Sequence, residues 1–579
     1  MASVFAALTL AGAGCRSGES GQHLGDGAGA VTGGGGAVTG GGATTTGAAG
    51  GTSGAGGRVA TGGAGADASS TASGGISGAG DSGGRGAAGP GGQPSTGGAG
   101  GAPPDAGSAG AGAGGISTDG GPPPPFNGPT VAATVTVTRG AVTGQLGPRF
   151  VGLSFEKTHL TDGFFTAQHA PLIALFKLLG PGNLRIGAND VDASVWSPSA
   201  TFVTPGTTSP NVGTAEVDAL SEFLAATGWN VIYGVNMKSG TPAAAATEAS
   251  YAATRLGAAL AALEIGNEIN FFGSFATVDP EWESFATQIL KAVPGLPLAG
   301  PASGADPSFD VPFAAAEAAR VVLLTHHYYR GAAGSASATM ASLLSPDAAM
   351  LSQGHTVSMA ATGNKIRDGW RWGEINSFSG HGQAAVSDAY GAALWSIDLM
   401  MSSAQVAACA GVNFHGGGQN QDGNSCPNGP SSCSRPFHYS PIDEVNSRVT
   451  GAAPLFYGLL MVTRAGTGSM LETRTTGGTS NFTAYTVASP DGSTSVLLVN
   501  KDATSAVNAA VNVGIAPQAA NALFLRAPSL TAQSGITLGE SGISAAGVWT
   551  PRAPYTVPVQ GGVISVVVPP AAAVLVRAQ

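Results

Sequence analysis

The segment "ALEIGNEINFF" (residues 262–272) is an apolar run that stops abruptly at Gly266, Asn267 and Glu268. A strand built for a core has no use for an acid at its end unless that end faces something polar. Seven other short runs share its character: "RFVGLSFEK" (149–157), "GNLRIGAN" (182–189), "NVIYGVNMK" (230–238), "PLAGPAS" (297–303), "VVLLTHHYY" (321–329), "GWRWGEIN" (369–376) and "VAACAGVNFHG" (406–416). Helix-like stretches such as "APLIALFKLLG" (170–180) and "TAEVDALSEFLAATG" (214–228) lie between them. Eight strands alternating with helices predict an α/β fold, a (β/α)8 TIM barrel over residues 126–450. The polar strand ends fit its C-terminal rim, where such barrels build their active sites.

Beyond residue 450 the pattern changes. "NFTAYTVAS" (481–489), "STSVLLVNK" (493–501), "NALFLRA" (521–527) and "GVISVVVPPAAAVLVRA" (562–578) alternate apolar and polar residues between turn signals. They predict an appended antiparallel β-sandwich over 451–579. "TVAATVTVTRG" (130–140) has the same alternation and is expected to join that sandwich from the other side of the barrel.

Residues 16–125 are mostly Gly, Ala, Ser and Thr, with no Phe, Tyr or Trp, and end in the run "PPPP". So little apolar surface cannot offset the entropy of ordering, and the expectation is a disordered linker. Ahead of it, "MASVFAALTLAGAGC" (1–15) is similar to the tail of a bacterial lipoprotein signal, with Cys15 as the lipidation candidate. It lacks a Lys or Arg before Cys15 and carries Gly12 where leucine is usual. The chain is therefore expected to be exported, as a cell-surface lipoprotein or as a secreted or periplasmic protein. Its only expected membrane contact is a lipid anchor at Cys15.

The net charge is −10, and only 10% of residues are charged. That argues against nucleic acid and against a groove for a polyanion, while a small acidic sugar held by a few groups remains compatible. Four cysteines are too few for a disulfide scaffold. Cys426 and Cys433 bracket the turn-rich "PNGPSS" and are candidates to pair in an exported protein. None shows metal-ligand spacing, so neither a metal nor an organic cofactor is expected.

Glycoside hydrolysis usually needs two carboxyl groups flanking the scissile bond. Glu268 ends the fourth run and Glu374 the seventh, so a closed barrel brings both to one rim. In "THHYY" (325–329) alternation puts His326 and Tyr328 on one face and His327 and Tyr329 on the other. A tyrosine beside a nucleophilic carboxylate would hold it ionised. Glu156, Asn189 and Asp190 stand at other strand ends as candidate hydroxyl ligands; the alternative is simple pairing of the acids with Lys157 or Arg185.

Taken together, "SFEK", "RIGAND", "EIGNE", "HHYY", "GEINS", "VSDAYGAALWSIDLM" and "GVNFHGG" resemble glycoside hydrolase family 79, which includes β-glucuronidases and heparanases. The resemblance covers roughly residues 130–579. It implies a retaining double displacement with Glu268 as acid/base and Glu374 as nucleophile. It further implies Asn267 at the sugar 2-hydroxyl and His326 and Tyr328 near the nucleophile. Gly380, His381 and Tyr439 would hold the glucuronate carboxylate. Ile269 stands where the family usually has proline. The resulting expectation is an exo-β-glucuronidase acting on a glucuronate-containing glycan or glycoside. The alternatives are an endo-glycosidase on glucuronate-containing polysaccharide and a non-catalytic carbohydrate-binding surface protein.

Overall fold

The computed structural model describes residues 120–202, 208–417 and 437–579. The segment ending at Cys15, the Gly-rich stretch up to residue 119 and the Cys426–Cys433 pair lie outside the described residues.

Among the described residues, eight parallel strands close into a barrel. In chain order they are Val151–Glu156, Asn183–Gly187, Asn230–Val235, Leu260–Ile265, Leu298–Gly304, Val321–Ala332, Trp370–Ser379 and Cys409–Gly417. The first, second and fifth are buried along their whole length, as expected of strands covered on both faces. Helices Ala170–Leu179, Thr214–Thr227, Pro242–Leu256, Phe275–Ala292, Ala348–Gly363 and Tyr390–Ser403 lie between them in sequence. Large side chains such as Trp229, Trp282, Trp370 and Trp372 fill the core.

The second domain is one continuous eleven-stranded sheet. Strand Thr130–Leu146 lies near its middle, antiparallel to Gly468–Gly477 and parallel to Ala506–Asn512. The sheet folds over on itself: Val135 and Val511 from one half share a buried cluster with Leu498 and Val574 from the other. A sandwich thus forms from a single sheet.

Two boundaries differ from the sequence expectation. The linker expected to run to residue 125 is already bonded at residues 120 and 121. Gly120 O accepts from Arg552 Nη2 at 2.8 Å and Gly121 O from the Thr556 amide at 2.9 Å, which ties its end to the second domain. Nor does the sheet domain resume at 451. Residues Pro454–Arg464 form a helix whose apolar side, including Phe456, Leu459 and Leu460, is buried, and the sheet restarts at Gly468. Pro454 in the first turn marks the helix start.

This helix lies against Tyr390–Ser403 at very close range. A Cβ on Gly458 would come within 2.1 Å of Ser396 Oγ and 2.4 Å of Ala393 O. Gly458→Ala should therefore lower stability by about 1–3 kcal/mol through overpacking, read as a drop in urea midpoint. An unchanged midpoint would mean that the two helices separate at little cost.

Candidate active site

The fourth barrel strand leaves the core through a sharp turn. Gly266 takes φ +78° and Glu268 φ +47°, both left-handed, and a 3-10 turn over Ile269–Phe271 follows. A non-glycine residue in this region is uncommon and is held by its surroundings. Here the Glu268 amide donates to Ala302 O at 2.8 Å. Asn270 clamps Gly304 from both sides, donating to its carbonyl at 2.9 Å and accepting from its amide at 2.8 Å. The turn is thereby pinned to the fifth strand, and Glu268 projects at the rim with its side chain 24% exposed.

Inside the barrel the organising group is Arg185, fully buried on the second strand. Its Nε donates to Glu264 at 2.6 Å, and its Nη1 to Glu374 at 2.9 Å and Ser154 at 3.3 Å. Its Nη2 donates to Asn267 at 2.8 Å. The second oxygen of Glu264 accepts from Thr325 Oγ1 at 2.7 Å. One guanidinium fork thus links the first, second, fourth and seventh strands, and through Glu264 the sixth.

Glu374 accepts from Tyr329 Oη at 2.8 Å on its other oxygen. Burial alone would raise its pKa. His415, His327, Arg185 and the Tyr329 hydroxyl outweigh it and hold the carboxyl at about 2. His415 Nδ1 stands 3.8 Å from Glu374, while its Nε2 lies 3.5 Å from Glu156. Burial opposes the charged imidazole, but Glu374 and Glu156 together raise its pKa. Burial pushes the Glu156 carboxyl up despite His415. Glu268 Oε1 meets His327 Nδ1 at 3.2 Å. It has that place because the fifth strand ends in glycine: a Cβ on Gly304 would sit 2.5 Å from Glu268 Oε1.

Glu374 faces inward because the seventh strand carries a one-residue bulge. The register pairs Trp372 with His326 and then Glu374 with His327, which leaves Gly373 unpaired. Arg371 and Glu374 are three residues apart, yet both reach interior partners, Asn413 and Arg185 respectively. Trp372 faces out, donating to Ser403 on a covering helix at 3.0 Å.

Glu268 and Glu374 line one cavity of about 580 Å³, with Glu156, Asn189, His415, Gly380, His381 and Tyr439 on its walls. A neighbouring cavity of about 370 Å³ reaches Asn189, Asn267 and Glu268 from the other side. Two expected residues, His326 and Asp190, lie off the walls of both. His326 faces the helices, 2.8 Å from Ser303 and 3.2 Å from Asp310. Tyr328 lines the larger cavity, but its hydroxyl turns away from the glutamates and donates to the Asp347 carboxylate at 2.8 Å. The pair from "THHYY" that reaches the glutamates is His327 and Tyr329, because Thr325, two residues before His327, is the inward residue bonded to Glu264. The Asp190 carboxylate accepts from Thr158, and its amide donates to Glu156 at 2.7 Å, so it supports the wall without forming it. Sequence reading gave Arg185 only as a pairing partner for an acid and passed over Glu264 and His415; the signal available was a charge at an interior strand position in "NLRIG", "ALEIG" and "VNFHG". Among the described residues no group of acidic, His or Cys side chains could hold a metal ion.

Arg185→Met keeps the side chain's bulk but leaves Glu264 and Glu374 buried without their cation. It should cost about 3–5 kcal/mol of stability, measured by chemical denaturation. Arg185→Lys should recover only part of this, since an ammonium lacks the fork that reaches both acids. Wild-type stability in Arg185→Met would show that the interior does not depend on this cation.

No family model matches the chain, and no curated protein matches it. Solved structures do. A 4-O-α-L-rhamnosyl-β-D-glucuronidase from Fusarium oxysporum 12S aligns over 76% of this chain and 99% of its own, with 20% identity and a TM-score of 0.61. The family 51 α-L-arabinofuranosidase AbfB from Bifidobacterium longum aligns over 78% and 100%, with 14% identity and a TM-score of 0.57. An α-L-arabinofuranosidase from Thermotoga maritima aligns over 77% and 99%, with 13% identity and a TM-score of 0.55. The barrel with its appended sheet is thus a fold that glycoside hydrolases share.

Proposed function

We propose that this chain is a retaining glycoside hydrolase that removes β-linked glucuronic acid from the non-reducing end of a glycan or glycoside. The observation that carries the reading is the contrast between two glutamates on one cavity. Glu374 is buried and held ionised by Arg185, Tyr329 and two histidines, while Glu268 stands at the rim beside His327.

In the first step the Glu374 carboxylate attacks the anomeric carbon, and the bond to the leaving oxygen breaks. Glu268 gives that oxygen its proton. In the second step Glu268 takes a proton from water, the water oxygen attacks the same carbon, and Glu374 is released as carboxylate. A pKa of about 2 keeps the nucleophile ionised at any pH above about 3.

Three features support glucuronate as the sugar. The resemblance of the rim motifs to family 79 is one. The wall of the larger cavity is another: Gly380 and His381 line it at a turn, both with positive φ, and a turn can present successive amides to an anion. Tyr439 lies beside Tyr329 and His415, with ring centroids 6.0 and 5.7 Å apart. The third is the glucuronidase activity named for the Fusarium protein. Export, with or without lipidation at Cys15, would place the enzyme where polysaccharides are found.

Wild-type protein should hydrolyse 4-nitrophenyl β-D-glucuronide and release the β-anomer first, followed by proton NMR. Glu374→Gln should lose at least about 10³-fold in kcat, and a 2-fluoro glucuronide should label Glu374 in the wild type. Glu268→Ala should spare activated aryl glucuronides relative to natural glycosides and give β-glucuronyl azide when azide is added. Inverted product, a label elsewhere, or turnover of arabinofuranosides alone would overturn the reading.

A further inference from the structure

At the other end of the barrel lies a cavity of about 530 Å³, a size in the ~300–1,000 Å³ range of small-molecule sites. Phe150 and Val151 wall it where the chain enters the first barrel strand, and Gly180 and Pro181 where it turns toward the second. Val151 and Glu156 are the two ends of that first strand, so roughly 17 Å of barrel separates this cavity from the wall of the catalytic one. The second domain closes it with the turn carrying Ser489 and Ser493 and with Arg577 on the last strand, Ala572–Ala578.

Two guanidiniums on these walls stand together without an acid. Arg464 ends the helix Pro454–Arg464. Its Nη2 donates to Leu178 O, in the last turn of the helix Ala170–Leu179, at 2.6 Å, and its Cζ lies 5.2 Å from the Trp549 ring centroid. Arg577 Nη2 donates to Arg464 O at 2.8 Å. Capping the helix carbonyls in this way occupies one nitrogen of each fork. Both Nε atoms are buried with no acceptor among the described residues, a costly state for a charged donor. Burial lowers the Arg464 pKa, and the charge of Arg577 lowers it further. Asp491 is the one acidic side chain on the walls, and it is engaged by the Ser493 amide and hydroxyl at 2.9 and 2.7 Å. Lys177 adds a third cation. An anion placed between the two forks would relieve their repulsion and take up their spare donors.

We propose that this cavity binds a small organic anion, whose carboxylate or phosphate lies between Arg464 and Arg577 while its apolar body rests against Leu146, Pro148 and Phe150. Bound there, the anion bridges the barrel and the second domain. The site is separate from the catalytic cavity and does not depend on which sugar is cleaved there.

Isothermal titration of the full chain with four probes tests this. Phenyl phosphate and phenylacetate carry both features, inorganic phosphate lacks the apolar body, and benzyl alcohol lacks the charge. At least one of the aromatic anions should bind one to one with a Kd below about 1 mM, and the tighter of the two tells phosphate from carboxylate. Inorganic phosphate should bind at least about fivefold more weakly, and benzyl alcohol should give no saturable heat. Arg464→Gln and Arg577→Gln should each weaken the aromatic anion at least about tenfold. Because both changes also remove a helix cap, Lys177→Glu serves beside them. Its side chain is exposed, so the urea midpoint should stay unchanged while binding weakens at least about threefold. Glu374→Gln should bind as wild type does. The site would be overturned by failure of both aromatic anions to bind, by inorganic phosphate or benzyl alcohol binding as tightly, by affinity unchanged in the three cation variants, or by its loss in Glu374→Gln.

Discussion

A single buried guanidinium holds the centre of this barrel together. Arg185 meets two carboxylates, an amide oxygen and a hydroxyl, contributed by the first strand, the seventh, and the fourth with the turn that follows it. An ion of this kind, withdrawn from water, is tolerated only when its donors are matched with acceptors. The match fixes where the strands stand relative to one another at the level of the site. At this cluster two acids face one guanidinium, and His415 stands 3.8 Å from Glu374, its pKa raised by that acid and Glu156 against the effect of burial.

From this follows the difference between the two glutamates. Both are carboxylic acids of the same intrinsic strength, and the fold alone separates them. Glu374 lies on a strand, its side chain 6% exposed, with a cation on one oxygen and a hydroxyl on the other. Glu268 lies on a strained turn just past its strand, more open to solvent and in contact with one imidazole. The backbone strain at Glu268 lies in a segment whose amides and side chains are bonded to the fifth strand, itself irregular at Ala302, which takes φ +52°.

Much of this was legible before any coordinates. The eight apolar runs correspond to the eight barrel strands, and the abrupt end at Gly266 marks a real left-handed turn. What escaped sequence reading shares one cause, which is that it depends on partners far away in the chain. Arg185 looked like half of an ordinary ion pair because its acids lie 79 and 189 residues on. The inward face of "THHYY" could not be chosen from alternation, which gives two faces without saying which is the interior. That choice is made by Thr325 bonding Glu264 on another strand. The helix Pro454–Arg464 was absorbed into the second domain because an apolar run after a proline carries no sign of what it will pack against.

The bulge at Gly373 shows how local sequence and distant partners combine. A regular strand with Arg371 inside would place Gly373 inside and Glu374 among the covering helices. The extra residue shifts the phase once, so that Trp372 stays in the outer layer beside His326 and Tyr328 while Glu374 swings toward Arg185. After the shift Ile375 pairs with Tyr328 and Asn376 with Tyr329, so both strands again present the same phase. Asn376 then reaches the carbonyls of His415 and Tyr439 at 2.8 and 3.0 Å. Tyr329 and Glu374 meet on the interior only because the seventh strand is one residue longer than its partner there. The glycine lets this happen at little steric cost, since even a Cβ at Gly373 would come within 3.1 Å of Thr325 Cβ. The position of the buried carboxylate is thus set by a one-residue irregularity in the backbone, and its charge by groups on three other strands.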